Sequence, residues 1–180
     1  MADTLQDNKP VGSYFWGRLS GLGLAVAAIT CAVDQASKFW LLLDFDLGGR
    51  SPYSLTPVID LSLTFNTGIS YGLFPQDGPV GAWALLAFKV VAVIFLSAWL
   101  TRVTLRLTAV ALGLIIGGAV GNAIDRLHWP GVMDFVLFHI DTASFSFRWY
   151  VFNLADVAIV AGVIGLLYES FMRGGAVKAP

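Results

Sequence analysis

The sequence predicts an integral membrane α-helical protein, a bundle of four transmembrane helices carrying a small extracytoplasmic β platform. Its composition is 57% hydrophobic and only 13% charged, with a mean hydropathy of +0.73, whereas soluble domains carry about 25% charged residues. Four apolar stretches approach the roughly 20 residues needed to cross hydrocarbon. In the first of two longer segments between them polar and apolar residues alternate with period two, the signature of a half-buried strand. A net charge of −1 offers no basic surface for nucleic acid. A single cysteine, Cys31, excludes a disulfide framework and a cysteine-based zinc site, and His128 and His139 do not make a metal site. No cofactor is expected.

The elements follow in order within one membrane-embedded domain, residues 1–180. Residues 1–17 form a tail whose start, "MADTLQDNKP", is polar and reads as disordered. The first span, about 19–43, is apolar except for Asp34 and Lys38 near its end. Arg18 followed by "LSGLGLAVAAITC" resembles a cleavable lipoprotein leader. Thr30 is too large for the residue before such a cysteine, and the helix continues past it, so the span is read as retained. The second span, about 80–100, holds only Lys89, which either snorkels or faces a polar cavity and is given no catalytic role. The third, about 107–124, is uncharged, and the short link "TRVTLR" makes it an antiparallel hairpin with the second. The fourth, about 151–168, contains only Asp156.

Basic residues set the orientation. With both termini in the cytoplasm, Lys9, Arg18, Arg102, Arg106, Arg173 and Lys178 lie inside, against Lys38, Arg50, Arg126 and Arg148 outside. The outer segments are then about 44–79 and 126–150. In the first, "VIDLSLTFN" places Ile59, Leu61, Leu63 and Phe65 on one face, "NTG" supplies a turn, and "ISYGLF" a second strand. In the second, "VMDFVLFHI" and "FSFRWYVF" flank "DTAS" as a hairpin.

The order of spans and loops, drawn from the apolar runs alone, brings the polar residues to one membrane face. Asp34 and Lys38 end the first span, Asn66 and Gly68 lie in the outer loop, and Asn122, Asp125 and Arg126 close the third span. Asp134 follows, and Asn153 and Asp156 open the fourth. Asp34 and Lys38 are four apart and share a helix face, as do Asn122 with Asp125 and Asn153 with Asp156, three apart. Simpler roles compete. Asp34–Lys38 as an interfacial ion pair stands level with a direct substrate role. Asn153 suits a helix N-cap, with Asp156 a first-turn acid favouring the dipole. That explains Asp156 alone, but not Asp134, Asp125 and Asn66 gathered around it. Gly117, Gly118 and Gly121 read as helix packing, His139 as a partly exposed strand residue, and Asp44, Asp46, Asp60, Asp77 and Asp141 as solvated loop acids.

No cysteine–histidine pair, Ser–His–Asp motif or "HExxH" is present. What is left is carboxylates in a low-dielectric setting. Two close carboxylates do not both ionise easily, so one keeps its proton while the other activates water against an amide. The stretches "DQASK" (34–38), "FNTGISYGLF" (65–74), "GGAVGNAIDRL" (117–127), "GVMDF" (131–135) and "FNLADVAI" (152–159) then resemble, in order and spacing, the lipoprotein signal peptidase (signal peptidase II) family of bacterial inner-membrane aspartic proteases. Ser70 and Tyr71 depart from the family pattern, at packing positions near the loop.

The resemblance implies that Asp134 and Asp156 are the catalytic dyad. It implies that Asn66, Gly68, Asn122, Arg126 and Asn153 line the site, and that Asp34 and Lys38 support it. Asp125 would be structural or substrate-binding, paired with Arg126. The implied substrate is a prolipoprotein, cut just before a cysteine already carrying diacylglycerol, with its acyl chains held by the membrane lipid. The implied location is the bacterial inner membrane, with the site at the periplasmic face. The rival from another class is a proton-coupled transporter using Asp34, Asp125 and Asp156 as a relay. A relay should run polar groups across the bilayer, and here they stop at one surface apart from Lys89. A non-enzymatic scaffold is the third reading.

Overall fold

The computed structural model describes residues 16–68 and 79–176. The polar start of the tail and the expected strand "ISYGLF" lie outside the described residues. The chain adopts the expected class, a membrane bundle of long apolar helices topped by a small antiparallel sheet. The described residues form five helices: α1 (Ser20–Leu43), α2 (Leu47–Arg50), α3 (Pro79–Leu100), α4 (Arg106–His128) and α5 (Leu154–Ala176). All but the one-turn α2 are long and apolar enough to span a bilayer. The strands are β1 (Tyr53–Thr56), β2 (Ile59–Asn66), β3 (Val132–Asp141) and β4 (Ser146–Arg148), paired in the order β1-β2-β3-β4.

Helix α4 is the axis of the bundle, packing against α1, α3 and α5. Its buried face runs through Ala109, Leu112 and Ile116. It stops at Trp129, whose extended backbone (φ −124°, ψ 163°) is what a following Pro130 imposes. The outer faces of α3 and α5 expose Phe88, Val91, Ile94, Ile164 and Phe171, an apolar belt for lipid rather than water. A second core under the sheet joins Leu41 of α1 and Leu47 of α2 to Leu61, Met133 and Phe135. The alternation read from residues 58–66 is the cause: Leu61, Leu63 and Phe65 pack on this core while their polar neighbours turn the other way.

Small residues on α4 set how closely its partners approach. A Cβ at Gly118 would sit 2.5 Å from the Ala155 carbonyl oxygen of α5, a backbone atom with no room to yield. Gly118→Ala is therefore expected to lower the thermal midpoint in detergent, by an overpacking cost of about 1–3 kcal/mol. Gly21→Ala is the control, because its nearest neighbouring atom would be 3.9 Å away. Equal midpoints for the two variants would contradict this packing.

Candidate active site

The site is assembled where β2, β3, α4 and the start of α5 meet. Antiparallel pairing sets Thr64 opposite Asp134 and Asn66 opposite Val132, with a register shift between Leu61 and Thr64. Such bulges re-aim side chains beside functional sites. Asn66 is then the diagonal neighbour of Asp134 on the same face, and its Nδ2 donates to Asp134 Oδ2 at 3.2 Å. On its other side β3 is tied to the segment entering α5. Phe135 N and Val136 N both donate to the Phe152 carbonyl, at 3.1 and 2.8 Å, and Phe152 N donates back to Val136 O at 3.0 Å. Asn153 follows at once, so the sheet fixes the start of α5 against Asp134.

Asn153 then serves both halves of the site. Its Oδ1 accepts Asp156 N at 2.9 Å, and its own N–H donates to Asp156 Oδ2 at 3.4 Å. This is a reciprocal cap, here made by asparagine and aspartate. Its Nδ2 donates to Asp134 Oδ1 at 2.6 Å. Asn122 of α4 completes the set, donating from Nδ2 to Asp156 Oδ1 at 2.9 Å. Both carboxylates thus hold two N–H donors and border common cavity space. Burial pushes the Asp134 carboxyl up to about 7, and the facing Asp156 carboxylate adds to the rise. The donors from Asn66 and Asn153, and the positive charge of Lys38, oppose it.

Beneath this pair lies a buried ionic cluster. Lys38 Nζ stands 2.7 Å from Asp34 Oδ2 and 2.7 Å from Asp125 Oδ2, and 3.3 Å from Asn122 Oδ1. Asp34 Oδ1 accepts Ala155 N at 3.0 Å, a capping bond given to α5 by α1. Asp125 Oδ2 accepts Met133 N at 3.0 Å, tying α4 to β3. The cluster links α1, α4, β3 and α5 directly below the Asp134–Asp156 pair. A Cβ at Gly121 would lie 2.6 Å from Asp34 Oδ2, so the glycine leaves room for this carboxylate.

The expected partnership of Asp125 with Arg126 is corrected. Consecutive helical residues point about 100° apart, and Asp125 turns inward to Lys38 while Arg126 turns to the loop. There its guanidinium donates to the carbonyls of Thr67 and Gly68. Asn66 Oδ1 accepts Gly68 N at 3.1 Å, closing the "NTG" turn locally. The Arg126 Nε is buried and has no hydrogen-bond partner among the described residues.

Two lobes of space flank the carboxylates. One, of about 200 Å³, reaches α3 at Leu85, Phe88 and Lys89 and also borders Arg126 and Gly68. The other, of about 210 Å³, runs past Val151 and Phe152 to Ile159 and Val160 of α5. The structure therefore brings Asn66, Gly68, Asn122, Arg126, Asp134 and Asp156 to one cavity, with Asn153 bonded behind both carboxylates. Asp34, Lys38 and Asp125 stand one layer deeper, in ion-pair contact with one another. Sequence reasoning passed over Gln35, whose Nε2 donates to Asp125 Oδ1 at 2.8 Å and to Gly121 O at 3.1 Å. Its place inside "DQASK" was the only signal. His139 lies between Asp60 (3.2 Å) and Asp141 (3.0 Å), at the far end of β3 from the cavity. Among the described residues, no three His, Cys, Asp or Glu side chains gather as a metal-ligand set.

Comparison with known proteins agrees with this picture. The family described as Signal peptidase (SPase) II matches residues 26–172. A lipoprotein signal peptidase of Nitrobacter hamburgensis is 59% identical over 161 residues, covering 89% of this chain and 97% of its own. One from Rhodopseudomonas palustris strain TIE-1 is 53% identical over 159 residues, covering 88% of this chain and 97% of its own. A solved bacterial membrane enzyme shares the fold with a TM-score of 0.71 at 22% identity, covering 88% of this chain and 92% of that one. The family is one of peptidases, which gives the proton-relay reading no support. The chain belongs to the signal peptidase II family of bacterial membrane proteases.

Proposed function

We propose that the chain is an aspartyl endopeptidase that removes the signal peptide from diacylglyceryl-modified prolipoproteins, cutting just before the lipidated cysteine. The observation that carries this reading is the Asn153 bridge. One side chain donates to Asp134 and caps the helix turn bearing Asp156, so two carboxylates from different elements face one cavity as a unit. Asp134, pushed up to about 7, retains its proton up to the approach to neutral pH, far above the ordinary carboxylate range.

Catalysis then proceeds by water addition. The ionised carboxylate takes a proton from water as its oxygen bonds to the scissile carbonyl carbon. The protonated carboxyl donates to the carbonyl oxygen, where negative charge develops. Collapse of the tetrahedral intermediate breaks the C–N bond, and the amine of the lipidated cysteine leaves with a proton from the pair. Arg126, whose Nε–H has no partner among the described residues, and the Asn66 amide both border the cavity and are the donors for peptide carbonyls beside the scissile bond. The site sits at the sheet-bearing end of the bundle, which the basic-residue bias assigns to the periplasmic face of the inner membrane, with both termini cytoplasmic. Acyl chains enter from lipid past the apolar side chains that line the cavity, Leu85 and Phe88 of α3 and Ile159 and Val160 of α5.

The test is cleavage by purified protein of one precursor peptide with and without its diacylglyceryl group, each in the presence and absence of a chelator. Each buried methylene contributes about 0.8 kcal/mol to membrane binding, so kcat/KM for the plain peptide is expected to fall by roughly a hundredfold or more. Equal rates on the two peptides would reject the lipid requirement. Loss of activity with chelator would reject a mechanism run by the carboxylates alone.

A further inference from the structure

Lys89 is the one cation on the α3 wall of the cavity that the mechanism leaves unused. It lies ten residues into α3, about 15 Å from the start of the helix at 1.5 Å per residue. A lysine at such a depth avoids lipid and turns to a cavity or a partner. Helical side chains lean toward the N-terminus, so its ammonium is carried toward the sheet-bearing end, into the lobe it lines with Leu85 and Phe88. Among the described residues it has neither a hydrogen bond nor an ion pair. Asp156 and Asp134, the acids that border the same lobe, already have both oxygens engaged, by Asn122 and Asn153 and by Asn66 and Asn153 respectively.

The two lobes differ in chemistry. The α5 lobe beyond the carboxylates is walled by Phe152, Ile159 and Val160 and has no cation among the described residues that line it. The α3 lobe is more polar: Arg126 borders it together with Gly68, and the Lys89 ammonium stands beside the apolar Leu85 and Phe88 of α3. A ligand matched to it has acceptor oxygens set among hydrocarbon, because a buried acceptor without a donor is costly. Peptide carbonyls beside the scissile bond are reached from the sheet end by Asn66 and Arg126. The acceptors that enter deeper, where acyl chains begin, are the two ester carbonyls of a diacylglyceryl group.

We propose that Lys89 is a substrate-binding residue that donates to the ester carbonyls of the diacylglyceryl group, making the α3 lobe the acyl-glyceryl subsite. The inference rests on the aspartyl peptidase reading of this cavity and adds the residue that selects ester-linked lipid. The test compares precursor peptides bearing ester-linked diacylglyceryl and ether-linked dialkylglyceryl groups of equal chain length, on wild type, Lys89→Met and Lys89→Arg. A hydrogen bond to a charged group gives the expected scale. Wild type should favour the ester roughly tenfold or more, mainly in KM. Lys89→Met should lose that preference by weakening the ester substrate alone, and Lys89→Arg should keep most of it.

Equal handling of ester and ether by wild type overturns the proposal without any variant. So does a Lys89→Met enzyme that keeps the ester preference, or one whose defect lies in kcat with a displaced pH profile, which would place the lysine's action on the carboxylates. Failure of the underlying reading looks different: Asp134→Asn or Asp156→Asn would then still cleave both substrates.

Discussion

Asparagine at position 134 or 156 is expected to abolish turnover of the lipidated precursor, with kcat falling roughly 10⁴-fold or more, as for other residues that act as one catalytic unit. The double variant should be barely worse than either single one, because the proposed mechanism needs both groups at once. Substrate binding and thermal midpoint should stay near wild type. Asparagine preserves shape, and a carboxyl held at about 7 by burial is one that the fold charges only with difficulty. The pH profile gives an independent reading. Asp134 is raised, so its proton is kept below about 7 and lost above it. Cleavage should therefore decline on the alkaline side of neutrality, while the fall on the acid side reports protonation of the general base. Asp125→Asn is the contrast. It should lower stability through the Lys38 cluster and leave measurable chemistry. Substantial turnover by either single dyad variant would overturn the assignment.

The four long helices were legible because bilayer thickness leaves few alternatives to an apolar run of this length. Strand β2 was legible because its two faces meet different surroundings: Leu61 packs over the Met133 core while Thr64 is exposed. What was missed obeys the same physics in reverse. Strand β1 is exposed at all four positions, so nothing made its residues alternate. Helix α2 is a single turn started by Asp46 in the left-handed region (φ 54°), whose side chain accepts Gly49 N at 3.3 Å. That is local turn chemistry with no periodic signal.

The candidate site divides similarly. Topology alone brought the polar residues to one face of the membrane, and spacing put Asp34 with Lys38. Spacing did not foretell that Asp125 and Arg126, adjacent in sequence, turn to different partners. Nor did it separate the two uses of Asn153. A cap and a site residue had stood as rival readings, yet an amide carries an acceptor and donors, and Asn153 spends the first on Asp156 N and one of the others on Asp134. Lys89 was legible as a misfit in an apolar span, but its lobe is defined by β2, β3 and α4 together, which no local window contains.

Lys38→Met is expected to be the most destabilising single change in the bundle. Asp34, Lys38 and Asp125 are 0%, 3% and 1% exposed, so water does not screen them. The lysine is the cation between two carboxylates, at 2.7 Å from each. Without it both acids remain buried, facing one another, with only neutral donors: Ala155 N and Gln35 Nε2 for Asp34, and Gln35 Nε2 and Met133 N for Asp125. Removing one partner of a buried pair costs about 3–5 kcal/mol, or roughly 10 °C in the midpoint for a chain of this size. Adding Asp125→Asn to Lys38→Met removes one of the two stranded charges and should restore part of the loss. Arg148→Met is the exposed comparison. Its pairing with Asp141 is longer, at 3.6 Å, with the arginine 66% exposed, and such surface pairs contribute about 0–1 kcal/mol. Activity should fall with stability in Lys38→Met, since Asn122 loses the ammonium on its Oδ1 while its Nδ2 still has to orient Asp156. Thermal denaturation in detergent decides the matter. If Lys38→Met melts no earlier than Arg148→Met, the cluster is not what holds α1, α4 and α5 together beneath the dyad, and the packing of small residues along α4 must carry that task alone.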